Sequence, residues 1–307
     1  MRIVIVFLKL RGVMSSPVLL GLVLASAAPR PVVVAVDGVL CDIVQTLVRG
    51  TARVTCLVAP GADPHRMALR GSDRAALTQA ALVLQNGFNL TPAMRQVRLG
   101  QAPLAVAERA IPKAKAADPH VWHDPNLAGA MVQVSADSLR PLLGSAQGAA
   151  LDRRRSAMQS SLEALGRWSA QQLRTVPSQQ RVLVSSHRAF SSFARRYGLR
   201  ELPVIDAFAT GGLLRPSSLS ASAKAIRASG TKAIFSEQWP PSKNLRRISA
   251  MSGVPLAKAP LYADGLAPGQ SLVGTATANV CTFVTAQGGR CDRAGAARLN
   301  QQWEGIQ

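Results

Sequence analysis

The chain predicts an α/β protein made of two (β/α) lobes with parallel sheets, joined by one long helix. Three observations carry this. Short β-branched apolar runs alternate with helical patterns from Pro31 to Gln85. The same alternation returns from Arg181 to Ser252. Between them, residues 144–177 carry Leu151, Met158, Leu162, Leu165, Trp168 and Leu173 at helical spacing, with no proline before Pro177. Strands alternating with helices lie side by side in a parallel sheet covered on both faces.

Pro31 to Val36 has the composition of a buried strand. A helix follows from Gly38 to Val48, ending near Gly50, and residues 54–59 form the next strand. Ser72-Asp73 starts a helix that runs to Ala81. Leu82 to Gln85 is a strand stopped by Asn86-Gly87. After the long helix, Val182 to Ser186 is a strand and Arg188 to Tyr197 a helix closed by Gly198, with Phe190, Phe193 and Tyr197 as its core stripe. Residues 203–205 and 232–236 read as strands. Residues 217–229 read as a helix closed by Gly230, and Ser242 caps a helix that ends at Gly253. Arg153-Arg154-Arg155 reads as a solvated face of the long helix.

The length of 307 residues accommodates two domains. Residues 1–27 read as a secretory signal: basic residues, the apolar stretch Val18 to Leu24, then Ala25-Ser26-Ala27 as a small-x-small cleavage site. A membrane anchor is the alternative, but each apolar run is shorter than the ~20 residues a spanning helix needs. Export places the four cysteines in an oxidising compartment. Sequence leaves their connectivity open. Cys41 with Cys56 and Cys281 with Cys291 are the simplest pairings, and four free thiols are the alternative. The net charge of +20 is compatible with an anionic polymer or surface. The charges are scattered, however, aromatics are few and no nucleic-acid module is visible, so nucleic acid is not the expected partner.

The chemistry-bearing residues stand beyond the strand ends. His65 follows strand 54–59 and a Pro-Gly turn, His187 ends strand 182–186, Glu237 ends strand 232–236, and Asp264 follows Pro260-Leu261-Tyr262-Ala263. His120 and His123 share Asp118-Pro119-His120-Val121-Trp122-His123-Asp124-Pro125. Ligands bind beyond the carboxyl ends of parallel strands. Imidazoles and carboxylates gathered there suit a transition metal, zinc in particular. No Cys-x-x-Cys, His-Glu-x-x-His or phosphate loop is present. A zinc-dependent hydrolase, with Glu237 as base, is the enzymatic alternative. Four protein ligands would fill a tetrahedral site and leave no position for the reacting water.

Five segments occur in a telling order: Pro60-Gly61-Ala62-Asp63-Pro64-His65; Asp118-Pro119-His120-Val121-Trp122; Ser186-His187-x-Ala189-Phe190; Ile234-Phe235-x-Glu237; and Leu261-Tyr262-x-Asp264-x-Leu266. Together they resemble the zinc- and manganese-binding solute-binding proteins of bacterial ABC importers, over nearly the whole chain after residue 31. The resemblance implies a metal held between two lobes by His65, His120, His187 and Asp264. It implies a periplasmic monomer that hands the ion to a membrane permease, and no enzymatic activity. Histidine rather than glutamate at 187 favours Zn2+ over Mn2+, in keeping with imidazole preference; a manganese- or iron-binding member is the alternative. Glu237 is expected to hold a ligand in place, and His123, where the family usually has an apolar residue, is the candidate extra donor. Thr91 and Arg215 replace carboxylates common in the family. The expected organisation is a signal segment 1–27, an N-terminal lobe 28–143, a linking helix 144–178 and a C-terminal lobe 179–307.

Overall fold

The computed structural model describes residues 29–98, 100, 102–111, 118–205, 207 and 216–307. The expected signal segment 1–27 and Arg215 lie outside the described residues.

The protein has the mixed α/β, two-lobed fold with parallel sheets that the sequence predicts. In the N-terminal half, β1 (Val32–Ala35), β2 (Arg53–Cys56), β3 (Leu82–Gln85) and β4 (Leu104–Ala105) form a parallel sheet in the order β2-β1-β3-β4. The central strand β1 is buried on both faces. Val33 and Ala35 enter the main core, whereas Val34 enters a second cluster with Leu77 and Val83. Two-sided burial explains a run without polar alternation. Helices α1 (Gly38–Val48) and α2 (Gly71–Gln79) connect β1 to β2 and β2 to β3, and the short α3 (Val106–Ala110) follows β4 directly. Asp37 caps α1, its carboxylate accepting Leu40 N at 3.0 Å.

Two long helices follow, α4 (Pro125–Leu143) and α5 (Ser145–Arg174). Helix α5 is the predicted spine. Helix α4 has no counterpart in the sequence reading, because Gly129, Val132, Val134 and Pro141 weaken its local helical signal. Tertiary burial of Ala128, Met131, Val132, Ser135, Ala136 and Leu139 along one face sustains it. The arginine triplet is not simply solvated. Arg154 donates to Leu47 O in α1 at 3.2 Å, and Arg155 donates to Gln133 Oε1 in α4 at 2.7 Å, so two of the three tie α5 to its neighbours.

In the C-terminal half, β5 (Val182–Leu183) pairs in parallel with β6 (Arg200–Glu201). The predicted strands 182–186, 203–205 and 232–236 are realised as these short strands plus isolated pairings, His187 with Ile205 and Ile234 with Leu256. Beyond the short strands, Ser185 and Ser236 hydroxyls donate to His187 O and Gln238 O, at 2.7 and 2.6 Å, as the chain turns at the site. Helix α6 (Ser191–Tyr197) starts three residues later than predicted. Arg188 N donates to Ala207 O and Phe190 N to Glu201 Oε1, which holds residues 188–190 out of helical geometry. Helices α7 (Pro216–Ala228) and α8 (Lys243–Ser252) lie near their predicted bounds.

The last two helices, α9 (Leu272–Ala286) and α10 (Arg293–Glu304), return to the first. Asp42 of α1 accepts Leu272 N at 3.0 Å and Trp303 Nε1 at 2.9 Å, and Arg49 donates to Ile306 O and Glu304 O. One continuous core therefore joins α1, α4, α5, α9 and α10. Both disulfides form, Cys41–Cys56 and Cys281–Cys291, in the simplest pairing.

Leu162, in the middle of α5, is almost fully buried in this shared core. Leu162→Ala is expected to lower the unfolding free energy by about 2–5 kcal/mol. Urea denaturation followed by circular dichroism measures it. A loss of a few tenths would show that α5 is not part of the common core.

Candidate metal centre

Each sequence-predicted ligand comes from a different loop. The first loop turns at Gly61, whose positive φ of 78° a side chain would strain. It continues through a single 3-10 turn, Pro64–Arg66, in which Asp63 accepts His65 N at 2.9 Å. The second repeats that device: Asp118 accepts His120 N at 3.0 Å. The third leaves β5 and ends at His187, whose backbone N–H and that of Ser186 both donate to Glu237 Oε1. The fourth carries Asp264 and is tied to the first, Gly61 N donating to Leu266 O at 2.9 Å.

These loops bring His65, His120, His187 and Asp264 together, with one ligand atom from each lying within 4.8 Å of all the others. Nε2 of His65, His120 and His187 stand 3.3, 3.1 and 3.1 Å from Asp264 Oδ1, and the first two nitrogens are 3.1 Å apart. A tetrahedron with metal–ligand bonds of ~2.0 Å has edges of about 3.3 Å. The four separations have that size. Nε2 of His187 is buried and, despite its proximity to Asp264, is not hydrogen-bonded. A lone pair held out of solvent in that way needs a Lewis acid or a proton.

The carboxylates behind the imidazoles set their tautomers. His120 Nδ1 donates to Asp118 Oδ1 at 2.8 Å, and His187 Nδ1 donates to Glu237 Oε2 at 2.6 Å. With Nδ1 carrying the proton, Nε2 presents its lone pair to the quartet. Burial opposes charge on both rings, but the neighbouring carboxylates outweigh it. His120 is raised above its ordinary value, and His187, beside Glu237 and Asp264, is pushed up to about 11. Burial would lift Asp264, yet the three imidazoles hold it well below the usual carboxylate range. Glu237 is raised by its burial, against the pull of His187.

His123 does not join the quartet. Its Nε2 donates to Ala263 O at 2.8 Å and its ring stacks on Phe190 with centroids 4.6 Å apart. Its position next to Asp264 gives it a structural task, to hold the fourth loop. Trp122 is buried and packs edge-on against His120, whereas Trp239 is exposed. Asp124 caps α4 and pairs with Arg196 at 3.1 Å. A cavity of about 290 Å³ opens on the quartet from the side of His187 and Asp264. Arg66 lines its wall, a place that no local pattern in the sequence marks.

Fold and centre together define a class: a two-lobed binding protein whose candidate cargo is a transition metal. The family profile for the periplasmic zinc-uptake complex component A, ZnuA, matches residues 33–286. The chain belongs to this family of metal-binding solute-binding proteins of ABC importers, which are transport proteins and not enzymes. It is 29% identical to the zinc-binding protein TroA of Treponema pallidum over 280 residues, covering 85% of this chain and 90% of TroA. The TroA structure superposes with a TM-score of 0.78 at 27% identity, over 84% of this chain and 99% of that one. Other relatives carry other metals in their names. The manganese-binding lipoprotein MntA of Bacillus subtilis is 29% identical over 57% of this chain and 60% of its own, and the iron-binding protein YfeA of Yersinia pestis is 27% identical over 73% and 75%. None of the described helices is long and apolar enough to cross a membrane.

Burial drives the His123 imidazole down to about 4, so it stays neutral in the fold. The unfolded chain, with a histidine pKa of 6.5, binds the extra proton first. This contribution to stability is therefore present above pH ~6.5 and is lost as pH falls toward ~4. His123→Gln is expected to flatten the pH dependence of stability in that window. Urea midpoints of parent and variant, measured across it without metal, check the difference; parallel curves would contradict the assignment.

Proposed function

We propose that this protein is a periplasmic carrier that captures Zn2+ between its lobes and delivers it to the membrane permease of an ABC importer. The observation that supports it most is the convergence of three imidazole nitrogens on one carboxylate oxygen at 3.1–3.3 Å. Three nitrogen donors favour zinc over manganese, which prefers oxygen. The donor count suits a closed tetrahedral site that holds an ion without activating water. His65, His120, His187 and Asp264 are the proposed ligands, with Asp118 and Glu237 orienting two of the rings. On this reading the carrier works as a monomer, without nucleic acid, and residues 1–27 direct its export.

The proposed lobes are residues 28–143 and 179–307, with 144–178 between them. The final helices of the second lobe reach back to α1 through Asp42 and Arg49. That clasp and the α5 spine favour a small relative motion of the lobes over a wide hinge.

Metal analysis of protein purified without chelator, then zinc and manganese titration of the stripped protein, tests the reading. Tight zinc binding is expected. Tighter manganese or iron binding would keep the carrier and replace its cargo; no transition-metal binding would end the proposal.

His65→Ala, His120→Ala and His187→Ala should each weaken zinc strongly, and Glu237→Gln should cost about 10- to 100-fold by freeing the His187 ring. His123→Gln should cost far less. Competition with a chromophoric chelator ranks the five.

Because His120 and His187 bind protons more tightly than a free imidazole, zinc must displace them. Apparent zinc affinity should therefore rise with pH across neutrality, by about tenfold per pH unit for each proton displaced, and fall on acidification. Calorimetry in buffers of different ionisation enthalpy counts the protons. A pH-independent affinity would contradict the raised proton affinity of the two rings.

A further inference from the structure

Asp264 lies in a stretch that has no regular structure of its own. Residues 257–271, between the Leu256 pairing and α9, form neither helix nor strand, and Gly265 follows Asp264 directly. A glycine at that point leaves the backbone free to turn. Contacts from elsewhere must therefore fix the carboxylate. One set reaches across from the N-terminal half: Gly61 N donates to Leu266 O at 2.9 Å, and His123 Nε2 donates to Ala263 O at 2.8 Å. Those bonds depend on the halves being together. The other set is internal to the C-terminal half. Leu261 N donates to Ser236 O at 2.8 Å, and the remaining bonds come from α9.

Two side chains of α9 supply them. Asn279 takes both backbone groups of Tyr262: its Oδ1 accepts Tyr262 N and its Nδ2 donates to Tyr262 O, each at 2.9 Å. One turn earlier in the helix, Thr275 Oγ1 accepts Ala267 N at 3.0 Å. Positions four apart share a helix face. The pair therefore grips the loop two residues before Asp264 and three residues after it. Both side chains are buried, and α9 packs into the core shared with α5, so the clamp stands on a rigid element. Its effect is visible at the quartet. All three imidazole contacts go to a single oxygen, Asp264 Oδ1. A carboxylate held to present one oxygen is one donor, and the site closes at four. Zinc accepts four donors in a tetrahedron, whereas manganese favours octahedral sites richer in oxygen.

We propose that Asn279 and Thr275 are positioning residues that set the metal preference of the centre, by holding Asp264 to one-oxygen coordination. This rests on the carrier reading above and names the residues that tune its cargo. With the clamp loosened, the carboxylate turns its second oxygen toward the ion or draws back and admits water. Either change raises the coordination number, which costs zinc more than manganese. The loop and α9 belong to the same half, so the clamp survives separation of the lobes and keeps Asp264 set for capture.

The test measures zinc and manganese affinities of the metal-free proteins by chelator competition. Thr275→Val removes the acceptor and keeps the branched shape; Thr275→Ser keeps the hydroxyl; Asn279→Leu removes both bonds to Tyr262. Thr275→Val is expected to lower the zinc-to-manganese affinity ratio by about fivefold, the effect of one buried hydrogen bond, and Asn279→Leu by on the order of twentyfold. Thr275→Ser should keep the parent ratio. Leu162→Ala, which weakens the core away from the loop, should keep it too, and so separates positioning from loss of stability. Cobalt gives a second readout: its visible absorption, intense in four-coordinate and weak in six-coordinate sites, should drop in Thr275→Val and Asn279→Leu alone. If Asn279→Leu does not fold, the two Thr275 variants decide. A parent ratio retained in Thr275→Val, or lost equally in Leu162→Ala, overturns the clamp and leaves the carrier intact. A parent that binds manganese as tightly as zinc overturns the clamp and the zinc assignment together. Binding of neither metal by the parent overturns the carrier reading as well.

Discussion

Asp264 Oδ1 lies within 3.3 Å of three imidazole nitrogens that reach it from three other loops. That one oxygen joins four separate segments of the chain. Two of those imidazoles come from the N-terminal half and one from the C-terminal half, so the contact closes the cleft as well as forming the site. The supporting bonds point the same way. Gly61 N to Leu266 O ties the His65 loop to the Asp264 loop, and His123 Nε2 to Ala263 O ties the His120 segment to it. The loop around Asp264 is thus held by backbone bonds from both of the N-terminal loops that supply histidines.

A strongly basic chain with a cation site is an apparent contradiction, and the centre resolves it locally. The +20 charge is spread over the sequence, whereas three carboxylates are concentrated at the quartet. Asp264 faces the donors directly; Asp118 and Glu237 stand one hydrogen bond behind two of the rings. Screening attenuates the distant surface charges within about 10 Å in moderate salt, while buried carboxylates act on the adjacent imidazoles with much less screening. The raised affinity of His120 and His187 for a proton is the direct sign of that local field. A field that draws a proton draws a metal dication as well, and the two compete for the same lone pairs.

The rigid parts of the fold explain why such a site stays assembled. α5 runs beneath both halves, and α9 and α10 fold back over it to meet α1, so the core is continuous from one half to the other. Asp42 anchors this return by accepting both a backbone N–H and the Trp303 indole. Its burial raises its pKa to about 6, so holding it charged at neutral pH costs stability, which the two hydrogen bonds partly offset.

The sequence by itself determined the strand and helix alternation, the α5 spine and the residues at the strand ends, because hydrophobic period and turn residues are properties of adjacent positions. The ordered motifs also carried the family. Tertiary structure alone decided the rest. His120 and His123 are three residues apart in one motif, yet one ring enters the quartet and the other turns to Ala263 O, a choice made by packing against Phe190. Glu237 and Asp264 look alike at strand ends, yet one grips the back of His187 and the other faces three nitrogens. The helix α4, weak in local propensity, exists because α5 and the core bury its face. Arg66 acquires a place on the cavity wall only when the two halves meet. In each case the deciding contact lies between residues far apart in the chain, and the local pattern does not encode which of several chemically equivalent groups will reach it.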